Sequence, residues 1–340
     1  MSNAAPAQRT PSAGLLFAML GLGTLLAFAV ALLIGPTAIS PRAVLAALFS
    51  DERDVTALIV REIRLPRALL GLLVGAALGA SGAALQGYLR NPLAEPGLVG
   101  VSAGGALGAV LAIHTGVAAA FALALPLAGL AGAALAVLIV VTLGGARSGP
   151  LSLILAGVAV SSVAGALTAL VLNLSRNPFA AVEMVFWTMG SLADRSLVHV
   201  ALAGPIILLG LGLLMLIGRP LEALTLGEDV ARNLGVDMGR LRWLVIAGTA
   251  LSVGAATSVA GTIGFVGLVV PHLLRPRVGH RPRLLLPASL LGGAILVLVA
   301  DSILRLITPG GEIRLGVATA LLGAPFFVWL VLETRRELTP

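Results

Sequence analysis

The stretch GLLFAMLGLGTLLAFAVALLI, residues 14–34, decides the fold class of this protein. It contains no charged residue and is followed by Gly35-Pro36. A helix needs roughly 20 apolar residues to cross a bilayer, whereas a signal-peptide core has about 7–15. We therefore predict an uncleaved first membrane-spanning helix, and we expect residues 1–13 to form a disordered tail.

The composition of the whole chain agrees with this first span. Of 340 residues, 58% are hydrophobic and only 11% are charged, and the mean hydropathy is +1.06. Soluble domains carry roughly a quarter charged residues. Glycine is abundant (42 residues) and aromatic residues make up 4%, which favours closely packed membrane helices over a β-barrel with aromatic girdles. We predict an all-α integral membrane protein with one transmembrane domain over residues 1–340.

Nine further apolar runs follow, so the sequence predicts ten spans in the lipid bilayer. If the amino terminus is cytoplasmic, the dense arginine clusters at 219–242 and 275–283 fall inside, as the positive-inside rule prefers. Both termini are then cytoplasmic. The predicted spans are 14–34, 65–88, 97–114, 118–143, 151–174, 198–218, 243–263, 264–276, 284–307 and 315–332, of which the eighth is short.

An internal repeat occurs at an offset of 179 residues. The segment 74–77 (VGAA) recurs at 253–256, Pro92 matches Pro271, and Gly100 matches Gly279. The two copies are five spans apart and therefore run in opposite directions through the membrane. Inverted repeats of this kind are typical of transporters.

Several kinds of chemistry are excluded by composition. Without cysteine the chain has no disulfide, thiolate metal site or cysteine nucleophile. All 22 basic residues are arginine, so no lysine can serve a Walker-type ATP site. The net charge of +7 is explained by loop arginines and does not require nucleic acid. The four histidines show no metal-binding spacing. We predict no metal site, no catalytic residue and no cofactor bound by this chain.

One charged segment interrupts the apolar sequence. In LTLGEDVARNLGVDMGRLR, residues 224–242, Leu226, Val230 and Leu234 recur every four positions, as in an amphipathic helix. We predict that Thr225 and Glu228 form a capping box, that Gly235 ends the helix in a left-handed conformation, and that Asp237 caps the next helix. Residues 220–240 should thus form short cytoplasmic helices.

Motifs in a consistent order resemble a known family. The chain is similar to the iron-chelate, haem and cobalamin permeases, which are membrane subunits of type II ABC importers. The resemblance implies a ten-helix permease that works as a homodimer with two ATP-binding cassette subunits and a periplasmic substrate-binding protein. ATP and magnesium would bind the ATPase partners. The matching segments are RLPR (64–67), LQGYLRNPLAEPGLVGVSAGGALGAV (85–110), FWTMGSL (186–192), LGEDVARNLGV (226–236), GFVGLVVPHLLR (264–275) and EIRLGVATALLGAPFFVW (312–329). Arg314 departs from the family, which usually has a proline there.

The resemblance assigns the charged segment to ATPase docking. Asp229-Val230-Ala231, followed by Gly235, echoes the Glu-Ala-Ala-x-x-x-Gly loop of ABC importers. The alternative is a helix lying on lipid headgroups, which its mixed charge disfavours. The predicted docking residues are Leu226, Glu228, Asp229, Val230, Ala231, Leu234, Gly235 and Arg240.

The resemblance also suggests sites near the predicted outer face. Arginines matching Arg64, Arg67 and Arg305 meet glutamates of the binding protein in this family. The alternatives are snorkelling anchors and, for Arg305, an ion pair with Asp301 one turn earlier. By the same resemblance, the fifth span and its outer extension line the translocation path, which nominates Ser161, Ser162 and Asn173.

The sequence also contains features of a serine hydrolase and can be compared with what a proton-coupled transporter requires. The pattern Gly100-Val-Ser102-Ala-Gly104 matches that of serine hydrolases, but a hydrolase elbow needs a preceding strand and a positioned base. A proton-coupled transporter needs carboxylates inside the membrane. The candidates Glu183, Asp194 and Asp301 map near the outer surface. We predict that Asn91–Pro96 forms a cytoplasmic turn. The resemblance implies ATP-driven import of an iron chelate across the bacterial inner membrane, with haem as the first candidate, a siderophore second and cobalamin third.

Overall fold

The computed structural model describes residues 13–49, 54–145, 149–308 and 313–338, so the predicted disordered tail lies outside the described residues except for Ala13. Within these ranges the chain is helical and contains no strand. A π-helical segment, Ile59–Arg64, leads into the fourth helix. The helices are α1 (Ala13–Leu33), α2 (Pro41–Phe49), α3 (Val55–Leu58), α4 (Leu65–Leu89), α5 (Val101–His114), α6 (Ala124–Gly144), α7 (Pro150–Leu174), α8 (Pro178–Thr188), α9 (Leu197–Leu216), α10 (Gly218–Leu224), α11 (Glu228–Asn233), α12 (Met238–Ala260), α13 (Val266–Leu274), α14 (Pro282–Ile307) and α15 (Leu315–Leu338).

Ten of the described helices correspond to the ten predicted spans. Eight of these ten are long and apolar enough to cross a membrane, namely α1, α4 with the preceding residues from Val55, α6, α7, α9, α12, α14 and α15. The other two, α5 and α13, are shorter. The adjoining predicted spans 243–263 and 264–276 correspond to α12 and α13. They are separate helices because the chain turns at Gly261 (φ +71°) and Phe265 (φ +66°). The prediction of a short eighth span is confirmed.

The helix α4 lies at the centre of the bundle and packs on α14, α12 and α9. It begins beside the carboxyl end of α1 and is antiparallel to α14, since Arg67 meets Asp301. We call this side of the molecule the Arg64 end. The opposite side, where α10 and α11 lie near the start of α14, is called the Leu226 end.

The sequence contains three series of small residues four positions apart, which we call glycine ladders: Gly71-Gly75-Gly79, Gly100-Gly104-Gly108 and Gly157-Ser161-Gly165. The first two make close helix contacts. A Cβ atom at Gly75 or Gly79 would overlap the backbone of α14, and one at Gly104 would overlap Gly132 and Ala136 of α6. Small residues allow backbones to approach where lipid offers no hydrophobic drive for association. In the third ladder, Gly157 faces the carbonyl of Leu98, whereas a Cβ at Gly165 meets no atom of the described residues.

The inverted repeat is present as an order of helices. A long helix, a short one and two long ones occur as α4 to α7 and again as α12 to α15, and α4 and α12 run in opposite directions. The 179-residue register holds only where α4 aligns with α12. After the ends of α4 and α12 the predicted register is wrong. Pro92 lies in a turn, whereas Pro271 lies inside α13, because α13 starts directly after the turn at 261–265.

Candidate functional site

A cavity of about 770 Å³, which we call the large cavity, is mostly apolar. Its walls come from the turn after α4, the loop between α12 and α13, the end of α8 and the first turns of α15. These segments are far apart in sequence and meet only in the fold. The polar side chains among the lining residues belong to Glu95, Ser102, Thr188 and Thr262.

Glu95 is a functional candidate that the sequence analysis missed. The carboxylate accepts a hydrogen bond from the backbone N–H of Phe265. Pro96 next to it packs on Gly267, which in turn contacts Leu78 and Gly82 of α4. These two α4 residues lie about 10–16 Å before the end of the helix at the usual rise. The predicted turn at Asn91–Pro96 is confirmed, and its cytoplasmic location stays a prediction. After Asn91 the segment folds back along α4, and Glu95 reaches the cavity.

Hydrogen bonds to α4 hold the short helix α13 in place. The side chain of Gln86, buried in α4, donates to the carbonyl of Gly267 at 3.2 Å and accepts from Arg275 Nη2 at 2.6 Å. At the other end of α13, the ring of Phe265 packs against Gly323 of α15, where a Cβ would overlap it. These contacts link the Glu95 turn to α13 and, through Phe265, to α15.

The three predicted path residues do not line this cavity. Ser161 donates to the carbonyl of Gly97 at 3.4 Å, and Ser162 donates to Val158 of its own helix at 2.9 Å. Asn173 is exposed near the end of α7. Their assignment to a path between two copies of the chain stays a prediction.

Ser102, the serine of the hydrolase-like pattern, lines the cavity but lacks the setting of a nucleophile. It follows a 3₁₀ turn rather than a strand, and its Oγ accepts from Thr257 Oγ1 at 3.3 Å. His114 lies at the opposite end of α5, about 18 Å away along the helix axis. His114 therefore cannot reach Ser102 to act as its general base.

At the Leu226 end, three apolar side chains form an exposed ridge. Leu226, Val230 and Leu234 are 64%, 42% and 63% exposed, whereas Ala231 between them is buried. We call these three side chains the ridge. Asp229 and Arg240 lie beside the ridge and are exposed as well. An apolar ridge in a charged surrounding has the composition expected of an interface core with a polar rim.

The predicted capping box at the start of α11 is wrong. Thr225 belongs to the end of α10, where its Oγ1 donates to the carbonyl of Glu222 at 2.7 Å. Gly227, with φ +108°, occupies the N-cap position of α11 instead. The sequence pattern failed because Thr225 is the C-cap residue of α10, a helix that the sequence did not predict, and its hydroxyl is bonded to that helix.

The other local predictions for this segment are confirmed. Gly235 has φ +84° just after α11, and the Asp237 carboxylate accepts from the N–H of Arg240 at 3.0 Å to cap α12. Glu228 also pairs with Arg232 one turn later at 2.6 Å. These contacts hold the ridge on short helices of defined geometry.

Arg64 has a structural role that the sequence did not indicate. Its side chain is only 3% exposed, and the guanidinium donates to the carbonyls of Leu32, Leu33 and Thr37 at 3.0, 2.7 and 2.5 Å. The last carbonyls of a helix have no partner inside that helix. Arg64 therefore ties the carboxyl end of α1 to the start of α4.

The other two predicted docking arginines share one carboxylate. Arg67 Nη2 lies 2.9 Å from Asp301 Oδ1, and Arg305 Nε lies 3.1 Å from Asp301 Oδ2. The side chains of Arg67 and Arg305 are 16% and 9% exposed. The pair of Arg305 with Asp301, considered from the sequence, is confirmed. Docking of another protein at these arginines stays a prediction.

We expect Arg64→Gln to lower the thermal stability of the purified chain. Glutamine is too short to serve three carbonyls, and each buried group left unsatisfied costs about 1–3 kcal/mol. Arg42→Gln, which removes an exposed arginine of α2 at the same end, is the matched control and should melt like the wild type. Equal melting temperatures for the two variants in detergent would contradict the structural role of Arg64.

Comparisons with known proteins agree with this architecture. The hemin transport system permease HmuU of Yersinia pestis is 37% identical over 81% of this chain and 83% of its own length. The vitamin B12 import system permease BtuC of Vibrio cholerae is 40% identical over 89% of each chain. The structure resembles a metal-chelate type ABC transporter in an inward-facing conformation, with TM-score 0.82 and 34% identity over 94% of this chain and 99% of the other.

The family model that matches describes the FecCD transport family and covers residues 23–333. The match spans every helix that borders the large cavity and both ends of the bundle. This multi-pass membrane protein belongs to the FecCD transport family of ABC transporter permeases.

Proposed function

We propose that this chain is the membrane subunit of an ATP-driven importer that moves an iron chelate across the bacterial inner membrane. It works as a homodimer with two ATPase subunits and a periplasmic binding protein, and both of its termini are cytoplasmic. The observation that carries the proposal is the ridge at the Leu226 end. Its three exposed apolar side chains sit on capped helices at the predicted cytoplasmic face, where an ATPase subunit would bind.

The energy for transport comes from the partner. The chain has no lysine for a Walker-type site, so ATP and magnesium belong to the ATPase subunits. This division of work agrees with the relatives, which are named as permease proteins. No catalytic residue is assigned to the present chain.

Haem is the first candidate for the chelate, a siderophore the second and cobalamin the third. The named relatives include a hemin permease and a vitamin B12 permease, at 37% and 40% identity. A binding protein that has already selected the chelate leaves few specific contacts for the permease to make.

The binding protein is proposed to dock at the Arg64 end. Arg67 and Arg305 are mostly buried and keep 16% and 9% of their side chains exposed there. Arg305, like Arg64, also donates to carbonyls at the end of α1. Exposed ion pairs are worth only about 0–1 kcal/mol each. The affinity of the binding protein should fall as salt rises, because partly solvated charges are screened.

The position of Glu95 would suit proton-coupled transport. It lies in the large cavity, where a carboxylate within a membrane protein often marks a proton path. Its bond to Phe265 explains it equally well as a structural link between the turn and α13.

We expect Glu95→Gln to keep ATP-driven uptake close to the wild-type rate, because the amide oxygen can still accept from Phe265. The measurement is uptake of radiolabelled hemin into proteoliposomes that contain the chain and its ATPase partner, with ATP on the ATPase side and no pH gradient. Uptake driven by an imposed pH step without ATP, and lost in Glu95→Gln, would establish proton coupling instead.

A further inference from the structure

The helix α15 is attached to the bundle along one face. Gly316 and Gly323 approach the loop 261–265 so closely that a Cβ atom at either glycine would overlap it. Thr319, which lies between these glycines at helical spacing, is 5% exposed, whereas Leu321 on the opposite side is largely exposed. The position of α15 therefore depends on the loop between α12 and α13.

Within this loop, Phe265 holds a left-handed backbone conformation, with φ +66° and ψ −21°. A bulky residue rarely adopts this conformation and keeps it only where its surroundings hold it. The carbonyl of Phe265 accepts hydrogen bonds from the N–H groups of Leu268 and Val269 in the first turn of α13, at 3.1 and 2.9 Å. Its own N–H donates to the carboxylate of Glu95. The conformation is thus held on one side by α13 and on the other by Glu95.

Glu95 is itself held in place by its neighbour. Its backbone is extended, with φ −134° and ψ 160°, as expected of a residue that precedes a proline. The following Pro96 packs on Gly267 in α13. Two adjacent contacts, one from Pro96 and one from Glu95, therefore fix the turn to the start of α13.

The ring of Phe265 connects this arrangement to α15. It fills the space that a side chain at position 323 would take, which only glycine leaves open. Glu95 and Phe265 line the large cavity on one side, and Ala320 and Ala324 of α15 line it as well. The width of the cavity between the Glu95 turn and α15 is therefore set where the ring meets Gly323.

We propose that Glu95 is a positioning residue for transport. By holding Phe265 in its left-handed conformation, it keeps the ring packed at Gly323 and thereby fixes α15 as a wall of the large cavity. Without an acceptor at position 95, Phe265 relaxes to a right-handed backbone and the ring leaves α15. The inference rests on the proposed function, since the large cavity is taken as part of the path of the chelate, and it goes beyond both docking surfaces, which do not include these residues.

The test uses a single introduced thiol, because the chain contains no cysteine. Thr319→Cys places a side chain of similar size on the buried face of α15, one turn before Gly323. The purified variant is placed in nanodiscs without ATPase or binding protein, and its reaction with a water-soluble maleimide is followed over time. Labelling of this parent variant should be slow, because the thiol is covered.

In the Thr319→Cys parent we expect Glu95→Ala to speed labelling at least about tenfold, the factor by which loss of one hydrogen bond to a charged group shifts an opening equilibrium. Glu95→Gln should restore slow labelling, because the amide oxygen can accept from the N–H of Phe265. Phe265→Gly keeps the backbone turn but removes the ring, so it should label as fast as Glu95→Ala. Adding Glu95→Ala to Phe265→Gly should then change the rate less than about twofold, because the carboxylate acts through the ring.

Glu62→Ala is the matched control, because it removes an exposed glutamate that does not line the large cavity. It should label as slowly as the parent. An unchanged rate in Glu95→Ala overturns the proposal, as do fast labelling of Glu95→Gln and effects of Glu95→Ala and Phe265→Gly that multiply.

A second thiol separates release of α15 from general unfolding. Ser302→Cys lies in α14 and is buried, so it should stay protected in every variant. If Glu95→Ala exposes this thiol as well, Glu95 supports the whole fold and the proposal is overturned. Since no ATP is involved, failure of this test is independent of any failure of ATP-driven uptake.

Discussion

Leu226→Asp and Leu234→Asp should each release the ATPase partner from the detergent-solubilised complex. Both side chains are more than half exposed in the chain alone and would be buried by the partner. Apolar anchors at the centre of an interface contribute about 2 kcal/mol or more each, and an aspartate there adds an unpaired buried charge. We expect at least a thirtyfold loss of affinity, roughly the equivalent of 2 kcal/mol. The measurement is co-purification of the ATPase on a tag carried by the membrane subunit.

The controls separate docking from folding. Leu226→Met keeps the ridge apolar and should retain the partner. Arg281→Ala removes an exposed ion pair with Glu222 at the same end and should have little effect, because such pairs contribute at most about 1 kcal/mol. All variants should melt like the wild type in isolation, since the ridge side chains are not packed. If both aspartate variants retain the ATPase, the ridge rests on lipid headgroups and docking occurs elsewhere.

Gly79→Val should prevent the chain from folding stably. A Cβ atom at Gly79 would overlap the carbonyl oxygen of Ser289, and the crossing of α4 and α14 there is backbone against backbone. The helices would have to separate, and neighbouring Gly75 against Gly293 would lose its contact as well. Overpacking a core typically costs about 1–3 kcal/mol, and more when the backbone must move. We expect an aggregated protein or a clearly lowered melting temperature in size-exclusion thermostability assays.

Gly212→Val is the matched control for this substitution. Gly212 is an exposed helical glycine of α9, and a Cβ there meets no described atom within 4 Å. Gly212→Val changes the helix propensity by the same amount as Gly79→Val but causes no overlap with another helix. Similar melting curves for the two variants would show that α4 and α14 do not approach as closely as described here.

Most of the fold was accessible from the sequence because its signals are local. A run such as 14–34 must be a span whatever surrounds it, since the backbone in lipid has to satisfy its own hydrogen bonds. The same holds for Gly235 and Asp237, whose roles depend on the adjacent backbone only. The family motifs were likewise recognisable as short sequence segments in a fixed order.

The structure was needed wherever distant segments meet. The turn at Asn91–Pro96 contains two prolines and two polar residues, so its hydropathy predicts that it lies in water. In the structure, however, Pro96 packs on Gly267, and Glu95 therefore lies beside α4. Thr225 fails for a different reason, because its hydroxyl bonds to Glu222 three residues earlier in α10 instead of capping α11. That local bond replaces a cap typically worth about 1 kcal/mol.

The sequence by itself determined the membrane environment, the ten predicted spans and the apolar spacing of the ridge at Leu226. Only the tertiary structure decided that Arg64 bonds to the end of α1, that Asp301 joins Arg67 and Arg305, and that Glu95 reaches the large cavity. The physical reason is the separation along the chain over which each kind of signal acts. Hydrophobicity and helix signals act within about one turn or one span of the chain, whereas a buried charge is defined by partners that, for Arg67 and Asp301, lie 234 residues away.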